Sequence, residues 1–228
     1  MDRVGEYTLQ IMREAGWYNS WLFSFIEPHL GKDTLEVGSG IGNFTELLLE
    51  KTKLVAVDLN KEYISNLKKR YKKRLSVGFG NIEKGEYYFK NKKFDTVVCF
   101  NVLEHVQNDE KALKNMFSLL QKGGKLLLLV PARELLFSEF DQKLGHWRRY
   151  SKFQIDKLVR KIGFKSISVR YLNWWSAIGW LIFLKFTKRN KMPQKEVKIF
   201  DFLGKIFLWP EKYAKMPFGL SVLAVAQK

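Results

Sequence analysis

Hydrophobic positions along the chain follow two periods that alternate with each other. Residues 6–30 carry Trp17, Tyr18, Trp21, Phe23, Phe25 and Ile26 and predict a helical segment with an aromatic-rich apolar face, ended by Pro28 and Gly31. A short apolar run, Thr34 to Val37, reads as a strand that stops in glycines. Phe44, Leu47 and Leu48 then predict a helix over 42–51. Leu54 to Val57 is a second strand ending at Asp58. Residues 61–74 form an amphipathic helix with Tyr63, Ile64, Leu67 and Tyr71 on one face. Strands follow at Leu75–Phe79 and Phe94–Phe100. The continuous apolar run Val97, Val98, Cys99 and Phe100 predicts burial on both faces, as in a parallel sheet. A helix over 109–121, a turn at Gly123 and Gly124, and a strand from Lys125 to Val130 closed by Pro131 come next. A helix over 151–162 stopped by Gly163, a strand Phe164–Tyr171 and a last strand Leu220–Ala226 complete the order.

Strands alternating with helices predict a parallel α/β sheet wound on both faces by right-handed crossovers. The last two strands are separated by residues 172–219, a stretch rich in Trp, Phe and Lys and too long for a simple crossover. No internal repeat or linker-like tract divides the chain. The expectation is one domain over 1–228, with an N-terminal helical segment at 1–31 and a lid-like elaboration at 172–219.

Composition sharpens this picture. At 228 residues, 46% hydrophobic and 28% charged, the chain is neither disordered nor of low complexity. One cysteine excludes an internal disulfide and a cysteine-rich zinc cage, and suits a reducing cytoplasm. Met1 to Gln10 holds Asp2, Arg3 and Glu6 and lacks an apolar core, so no signal peptide is expected there. The net charge is +17, of which residues 151–228 contribute +12, from 16 Lys and Arg against 4 Asp and Glu. Such a surface fits an anionic partner, whether nucleic acid, an acidic membrane or a phosphorylated substrate; a generally lysine-rich surface is the alternative.

The chemistry begins at Leu35-Glu36-Val37-Gly38-Ser39-Gly40-Ile41-Gly42-Asn43, between a strand and a helix. Glycines there let a ligand approach the backbone, and a helix N-terminus favours a negative group. Asp58 ends the next strand, 20 residues after Gly38, where an acid can accept from both ribose hydroxyls. The spacing is G-x-G-x-G, with Asn43 at the third dinucleotide position. A nucleoside without pyrophosphate therefore fits better than a dinucleotide.

These segments resemble the class I S-adenosylmethionine-dependent methyltransferases over roughly residues 34–131. The resemblance rests on LEVGSGIGNFT at 35–45, VAVDLN at 55–60, FDTVVCFNVLEHVQND at 94–109 and GGKLLLLVP at 123–131. It implies a seven-stranded Rossmann-like sheet whose last strand is antiparallel, and S-adenosylmethionine as cofactor. Glu36, Gly38, Ser39 and Gly40 would line its methionine end, with Asn43 in the same loop. Asp58 would bind the ribose and Leu59 would lie beside the adenine. Asn81 and Ile82 would hold the adenine edge, Asn81 standing where the family usually has Asp and offering its carbonyl oxygen to the amino group. Asn101 and Val102 would face the sulfonium. Some members of the fold place a divalent metal in an E-x-x-E-H pattern here. Asn101 replaces the first Glu, and one carboxylate with one histidine makes a poor hard-metal site, so no metal is expected. Glu104 and His105 are then expected to cap and brace the loop. The Asn/Asp-Pro-Pro-Tyr/Phe segment of nucleic-acid adenine methyltransferases is absent from 101–104.

The stretch Asp141 to Ser151 resembles the D-x(4)-H-x-R-R-Y-[ST] pattern of bacterial and archaeal small-molecule methyltransferases associated with lipid-linked or glycan substrates. Arg148 and Arg149 could grip an anionic acceptor, or one could brace the loop through Asp141 or Glu139. Trp147 and Tyr18 join them on the acceptor side. His146 is the first candidate base, followed by Tyr150 and His105. The apolar run 172–186 is shorter than the ~20 residues a membrane span needs. With Lys185, Lys188, Arg189 and Lys191 after it and a second apolar stretch from Phe200 to Trp209, it suits a lid, an interface or the surface of an anionic bilayer. The expected activity is methyl transfer to a small or lipid-linked, anionic acceptor, in the cytoplasm or peripherally on its membrane. An RNA methyltransferase and a non-catalytic cofactor-binding adaptor are the alternatives, and nucleic acid fits less well than a lipid.

Overall fold

A computed structural model describes residues 3–177, 179 and 194–228 of the chain. Eight strands form one sheet in the order β4-β3-β2-β1-β5-β6-β8-β7. They are β1 (Asp33–Val37), β2 (Lys53–Asp58), β3 (Ser76–Asn81), β4 (Glu86–Tyr87), β5 (Phe94–Phe100), β6 (Leu120–Pro131), β7 (Lys165–Leu172) and β8 (Ser221–Gln227). Strands β3, β2, β1, β5 and β6 run parallel, and β8 lies antiparallel between β6 and β7. This is the expected Rossmann-like sheet with one addition, the two-residue β4 paired antiparallel to β3. It hangs on the turn 82–85, where Gly85 takes a φ of 74° and the Asn81 side chain accepts from the Glu83 and Lys84 amides. Two residues carry too little alternation to announce a strand.

The helices are α1 (Arg3–Glu14), α2 (Gly16–Ile26), α3 (Thr45–Leu49), α4 (Lys61–Tyr71), α5 (Asp109–Leu119), α6 (Glu139–Leu144), α7 (Lys152–Ile162) and α8 (Gln194–Phe207). The single segment expected over 6–30 is two helices, because Ala15 leaves the helical region at φ −80°, ψ 62°. Helix α3 starts later than expected, since Gly38, Gly40 and Gly42 all take positive φ and hold the preceding residues in a loop. Strand β6 begins at Leu120, five residues early, through a register shift opposite Phe94 and Thr96. Strand alternation divides the core in two. Val97 and Cys99 pack with Met116, Ile155 and Val159 of α5 and α7 on one face. Val98, Leu127 and Leu129 pack with Trp21, Leu22, Ile64 and Leu67 of α2 and α4 on the other. Both faces are covered, which is why β5 reads as an unbroken apolar run.

Helix α8 packs on α2: the Tyr18 amide donates to Asp201 Oδ1 at 2.8 Å, and a Cβ at Gly204 would meet the Trp17 ring at 2.9 Å. Buried Glu211 accepts from the Asn173 and Trp174 amides at 2.9 and 2.8 Å and ties the chain after α8 to the end of β7. Residues 178 and 180–193, with the expected apolar run through Phe186 and the basic cluster Lys185 to Lys191, lie outside the described residues. Among the described residues no helix is long and apolar enough to cross a membrane.

Phe94 is fully buried at the start of β5 and meets the Phe89 ring edge-on at 5.5 Å. Phe94→Ala removes that volume from a close-packed site and is expected to cost about 3–5 kcal/mol. A thermal melt should show the midpoint falling by on the order of 10 °C.

Candidate active site

The chain builds β1, β2 and β3 in one direction and β5 and β6 in the other, so the sheet order reverses between β1 and β5. Loops at the carboxyl ends of strands part at such a point and leave a crevice. A cavity of about 570 Å³ lies there, within the ~300–1,000 Å³ usual for small-molecule sites.

The β1 loop forms its floor. The Gly38 and Ser39 amides both donate to the Val57 carbonyl, at 2.8 and 3.2 Å. Gly38 has φ 72°, and a Cβ there would sit 2.3 Å from Val102 Cγ2, so only glycine fits. The Gly40 amide donates to Asp58 Oδ2 at 2.7 Å and the Asn60 amide to Oδ1 at 2.8 Å. These bonds orient the carboxylate at the end of β2. Burial raises its pKa and the amides partly offset that. Glu36 is buried, accepts from Thr45 Oγ1 at 2.7 Å, and is pushed by burial up to about 8. Ser39 Oγ and Asn43 Oδ1 line the cavity, buried and without a hydrogen-bond partner. These orphaned polar atoms beside an oriented carboxylate match the polar end of a nucleoside cofactor. Leu59 is 60% exposed at the cavity rim, as a flat apolar contact for a base would be. Asn43 Nδ2 donates to the Leu9 carbonyl at 3.1 Å and so pins α1 over the loop. Asn81 and Ile82 line the cavity, but Asn81 Oδ1 is occupied by its own turn. The carbonyl oxygen expected to meet an adenine amino group is thus turned to a structural task.

Beyond β5, Asn101 holds φ 52° and its amide donates to the Leu129 carbonyl at 2.8 Å. That positions Val102 against Gly38 and starts a 3₁₀ turn over Leu103–His105. Glu104 is 1% exposed, and neither carboxylate oxygen has a hydrogen-bond partner. Burial, opposed by its own amide and by the Arg149 charge, pushes its pKa up to about 8. The His105 and His146 rings meet edge to face at 4.6 Å. Burial and the neighbouring His146 lower His105 to about 4. Glu104, His105 and His146 all line the cavity and bring one ligand atom each within 4.8 Å of one another. Glu104 is expected from the sequence to brace its loop; its side chain instead stands unbonded at the cavity wall.

The D-x(4)-H-x-R-R-Y segment is mostly a clamp. Asp141, fully buried, accepts from His146 Nδ1 at 3.0 Å, Arg149 Nε at 2.8 Å and Nη2 at 3.1 Å, and from the Ser138 amide and hydroxyl. Burial alone would raise its pKa; the His146 bond and the Arg149 charge outweigh this and hold it low. Arg148 donates to Asp109 Oδ2 at 3.0 Å and the Gln107 carbonyl at 2.8 Å. The Tyr150 hydroxyl donates to Asp109 Oδ2 at 3.1 Å, and burial beside that carboxylate raises its pKa. The Trp147 amide donates to the Glu104 carbonyl at 2.8 Å while its ring points outward, 57% exposed. Of the residues expected on the acceptor side, then, Arg148, Arg149, Trp147 and Tyr150 are absent from the cavity lining, and His146, His105 and Tyr18 are in it. Both arginines hold carboxylate partners, the bracing alternative of the sequence reading, with Arg149 on Asp141 as expected and Arg148 on Asp109 in place of Asp141 or Glu139.

The first two helices also line the cavity. Thr8, Leu9 and Met12 of α1 and Tyr18, Asn19 and Leu22 of α2 cover it. Among the described residues of the C-terminal part, only Ser221 reaches it. Tyr18 Oη accepts from Asn173 Nδ2 at 3.0 Å, and burial raises its pKa. Amphipathic spacing in α1 was the available signal for the roof, but it marks an apolar face without saying what lies beneath it.

Comparison with known proteins bears on the cofactor end. The family model described as a methyltransferase domain matches residues 10–175. A "Probable S-adenosylmethionine-dependent methyltransferase" of Mycolicibacterium smegmatis is 26% identical over 138 residues, 59% of this chain and 52% of that protein. The ubiquinone biosynthesis O-methyltransferase of Coxiella burnetii is 31% identical over 121 residues, 50% of this chain and 51% of that protein. The chain thus spans about half the length of these relatives. The crystal structure of a SAM-dependent methyltransferase from Archaeoglobus fulgidus superposes with a TM-score of 0.65 at 17% identity, covering 95% of this chain and 94% of that one.

Three outcomes follow from this geometry. Asp58→Ala should weaken S-adenosylmethionine binding by about 1.5–3 kcal/mol, tenfold or more by calorimetry, since charge-assisted bonds to the ribose are lost. Arg149→Ala strands the buried Asp141 charge and should lower stability by about 3–5 kcal/mol in chemical denaturation. Arg148→Ala, on a side chain one-third exposed, should cost no more than about 1 kcal/mol.

Proposed function

The chain belongs to the methyltransferase domain family and uses S-adenosylmethionine, and we propose that its acceptor is a small or lipid-linked molecule whose reacting atom must shed a proton. The observation that carries this reading is that one cavity joins Asp58 and the glycine loop to Glu104, His105 and His146. The strand order β2-β1-β5-β6 spreads these groups across the crevice, with Asp58 on the β2 side and His146 beyond β6. A cofactor with its ribose on Asp58 and its methionine end over Gly38 would direct its methyl group toward the histidines.

The sulfonium is already an activated donor, so most of the rate comes from alignment and from excluding water under the α1–α2 roof. What remains is the acceptor's proton. A tertiary amine has none to lose and would not need this cluster, whereas a hydroxyl would. Asp141 holds Nδ1 of His146 and leaves Nε2 toward the cavity, the arrangement suited to a proton acceptor. The nucleophile then displaces S-adenosylhomocysteine in line.

A lipid-linked acceptor is supported by the outer face of the C-terminal part. Phe202, Ile206, Trp209 and Tyr213 are all more than half exposed at spacings of four, three and four residues. Exposed Lys205, Lys212 and Lys215 accompany them. Aromatic and aliphatic side chains flanked by lysine suit an in-plane contact with an anionic bilayer.

Release of S-adenosylhomocysteine should require an amphiphilic hydroxyl-bearing acceptor, and the protein should co-sediment with phosphatidylglycerol vesicles in a manner weakened by Phe202→Ser with Ile206→Ser. His146→Ala should reduce turnover by about 10²–10⁴-fold with S-adenosylmethionine affinity near wild type. Methylation of RNA with steep salt dependence, and no vesicle binding, would overturn the acceptor assignment.

A further inference from the structure

We propose that the edge of the sheet where β1, β2, β3 and β5 begin, opposite the cavity, is a docking surface for single-stranded nucleic acid, held by its phosphates. Charge is sorted by the two ends of these strands. The connections entering them, residues 27–32, 50–52, 72–75 and 88–93, hold eight Lys and Arg against two acids. The connections leaving them, residues 38–44, 59–60, 82–85 and 101–108, hold one lysine against two acids. A generally lysine-rich surface would load both ends alike. This excess lies outside the basic 151–228 stretch, and the fold gathers it from four separate connections.

The densest part is KKRYKKR at 68–74, the last turn of α4 and the approach to β3. Its six basic residues are exposed and its tyrosine is buried. The Val55–Ser76 pairing of β2 with β3 sets Lys53 level with Arg74. The Asp33–Lys53 pairing of β1 with β2 brings Lys32 alongside. Neighbouring strands lie about 4.8 Å apart, so these three cations form a row about 10 Å across. The acids nearby are few and partly spent. Glu27 is taken by Lys51 at 2.7 Å and Glu46 by Arg70 at 2.8 Å, which leaves Asp33 and Glu50 as counter-charges. Among the described residues no acid forms an ion pair with Lys69, Lys73 or Arg74. Clustered charge of one sign raises the local concentration of an anionic partner.

A single-stranded nucleic acid matches this edge in two ways. Its phosphates present a regular run of negative charge, which lysine and arginine neutralise with release of counterions. Its bases stack on aromatic rings set beside the cations. Tyr88 supplies such a ring. It is 41% exposed, its hydroxyl shares a hydrogen bond with Ser76 Oγ at 2.7 Å, and its ring rests on Gly78, where a Cβ would lie 2.4 Å from Tyr88 Cγ. Ser76 opens β3 two residues after Arg74. A protein partner would call for a core of apolar anchors and few lysines. A bilayer would call for an apolar stripe to insert, and that stripe is on α8, at Phe202 and Ile206. The nucleic acid is a docked partner here and not a methyl acceptor, because the cavity lies at the other ends of the strands.

Fluorescence anisotropy with a labelled oligouridylate of about 12 nucleotides and the full-length protein tests the surface without turnover. The oligonucleotide should bind, with affinity falling steeply between about 50 and 200 mM salt. Lys69→Glu, Lys73→Glu and Arg74→Glu combined should weaken binding tenfold or more and flatten the slope of log K against log salt by about 2. Lys111→Glu, Lys114→Glu and Lys157→Glu combined remove the same charge from exposed positions of α5 and α7, and should bind as the wild type does. Tyr88→Leu should weaken binding about fivefold or more, and Tyr88→Phe should retain it. The first triple variant should keep the melting temperature and S-adenosylmethionine affinity of the wild type, so that lost binding is not unfolding. Equal weakening by the two triple variants, no effect of Tyr88→Leu, or no oligonucleotide binding overturns the surface. So does binding of polyglutamate or phosphatidylglycerol vesicles that depends on Lys69, Lys73 and Arg74 as strongly as the oligonucleotide does. Each of those results leaves the methyl-transfer reading standing, and failure to bind S-adenosylmethionine would count against that reading and not against this surface.

Discussion

One buried carboxylate organises the cavity wall built by the loops after β5 and β6. Asp141 has no exposure and receives hydrogen bonds from Ser138, His146 and Arg149. A charge in that position is tolerable only because its partners are complete; removing one leaves the rest uncompensated. The consequence is geometric. The loop between α6 and α7 cannot move without breaking the Asp141–Arg149 pair, so His146 stays at the cavity wall. The same loop is sewn to the β5 turn through Trp147, Arg148 and Tyr150. Two loops that leave different strands thereby behave as one wall.

The cofactor half relies on the opposite device. Its loop is held by backbone amides and by glycines in the left-handed region, with Asp58 receiving amides from Gly40 and Asn60. Few side chains intrude, so a ligand can lie against the backbone. The two halves meet where Val102 touches Gly38, the point at which the transferred group would pass from one to the other. Above both, α1 and α2 supply an apolar roof, and α8 buttresses α2 from behind. Among the described residues of the aromatic C-terminal part, α8 meets α2, and Phe202, Ile206 and Trp209 are exposed.

How much of this was legible in the residues depends on the range of the forces involved. The sheet, the glycine loop and Asp58 follow from local signals: apolar period, glycines at a strand end, an acid at the next strand end. The antiparallel place of β8 and the pairing of chemistry with S-adenosylmethionine came from resemblance. Short elements were illegible, as with β4, whose two residues depend on pairing with β3. The break at Ala15 and the late start of α3 were decided by backbone conformations that amphipathic spacing does not encode.

The residue types present near the cavity were determined by sequence alone: His105, His146, two arginines, a tyrosine and Glu104 were all visible as candidates. Which of them face the cavity and which are consumed as braces was decided only by tertiary structure. Charge pairing is a contest between partners distant in sequence. Arg149 is claimed by Asp141 and Arg148 by Asp109, and spacing says nothing of who wins. By the same logic Glu104 is left without a donor and Asn81 spends its oxygen on its own turn. A linear pattern lists the groups that could act; burial and hydrogen-bond completion determine which remain free to do so.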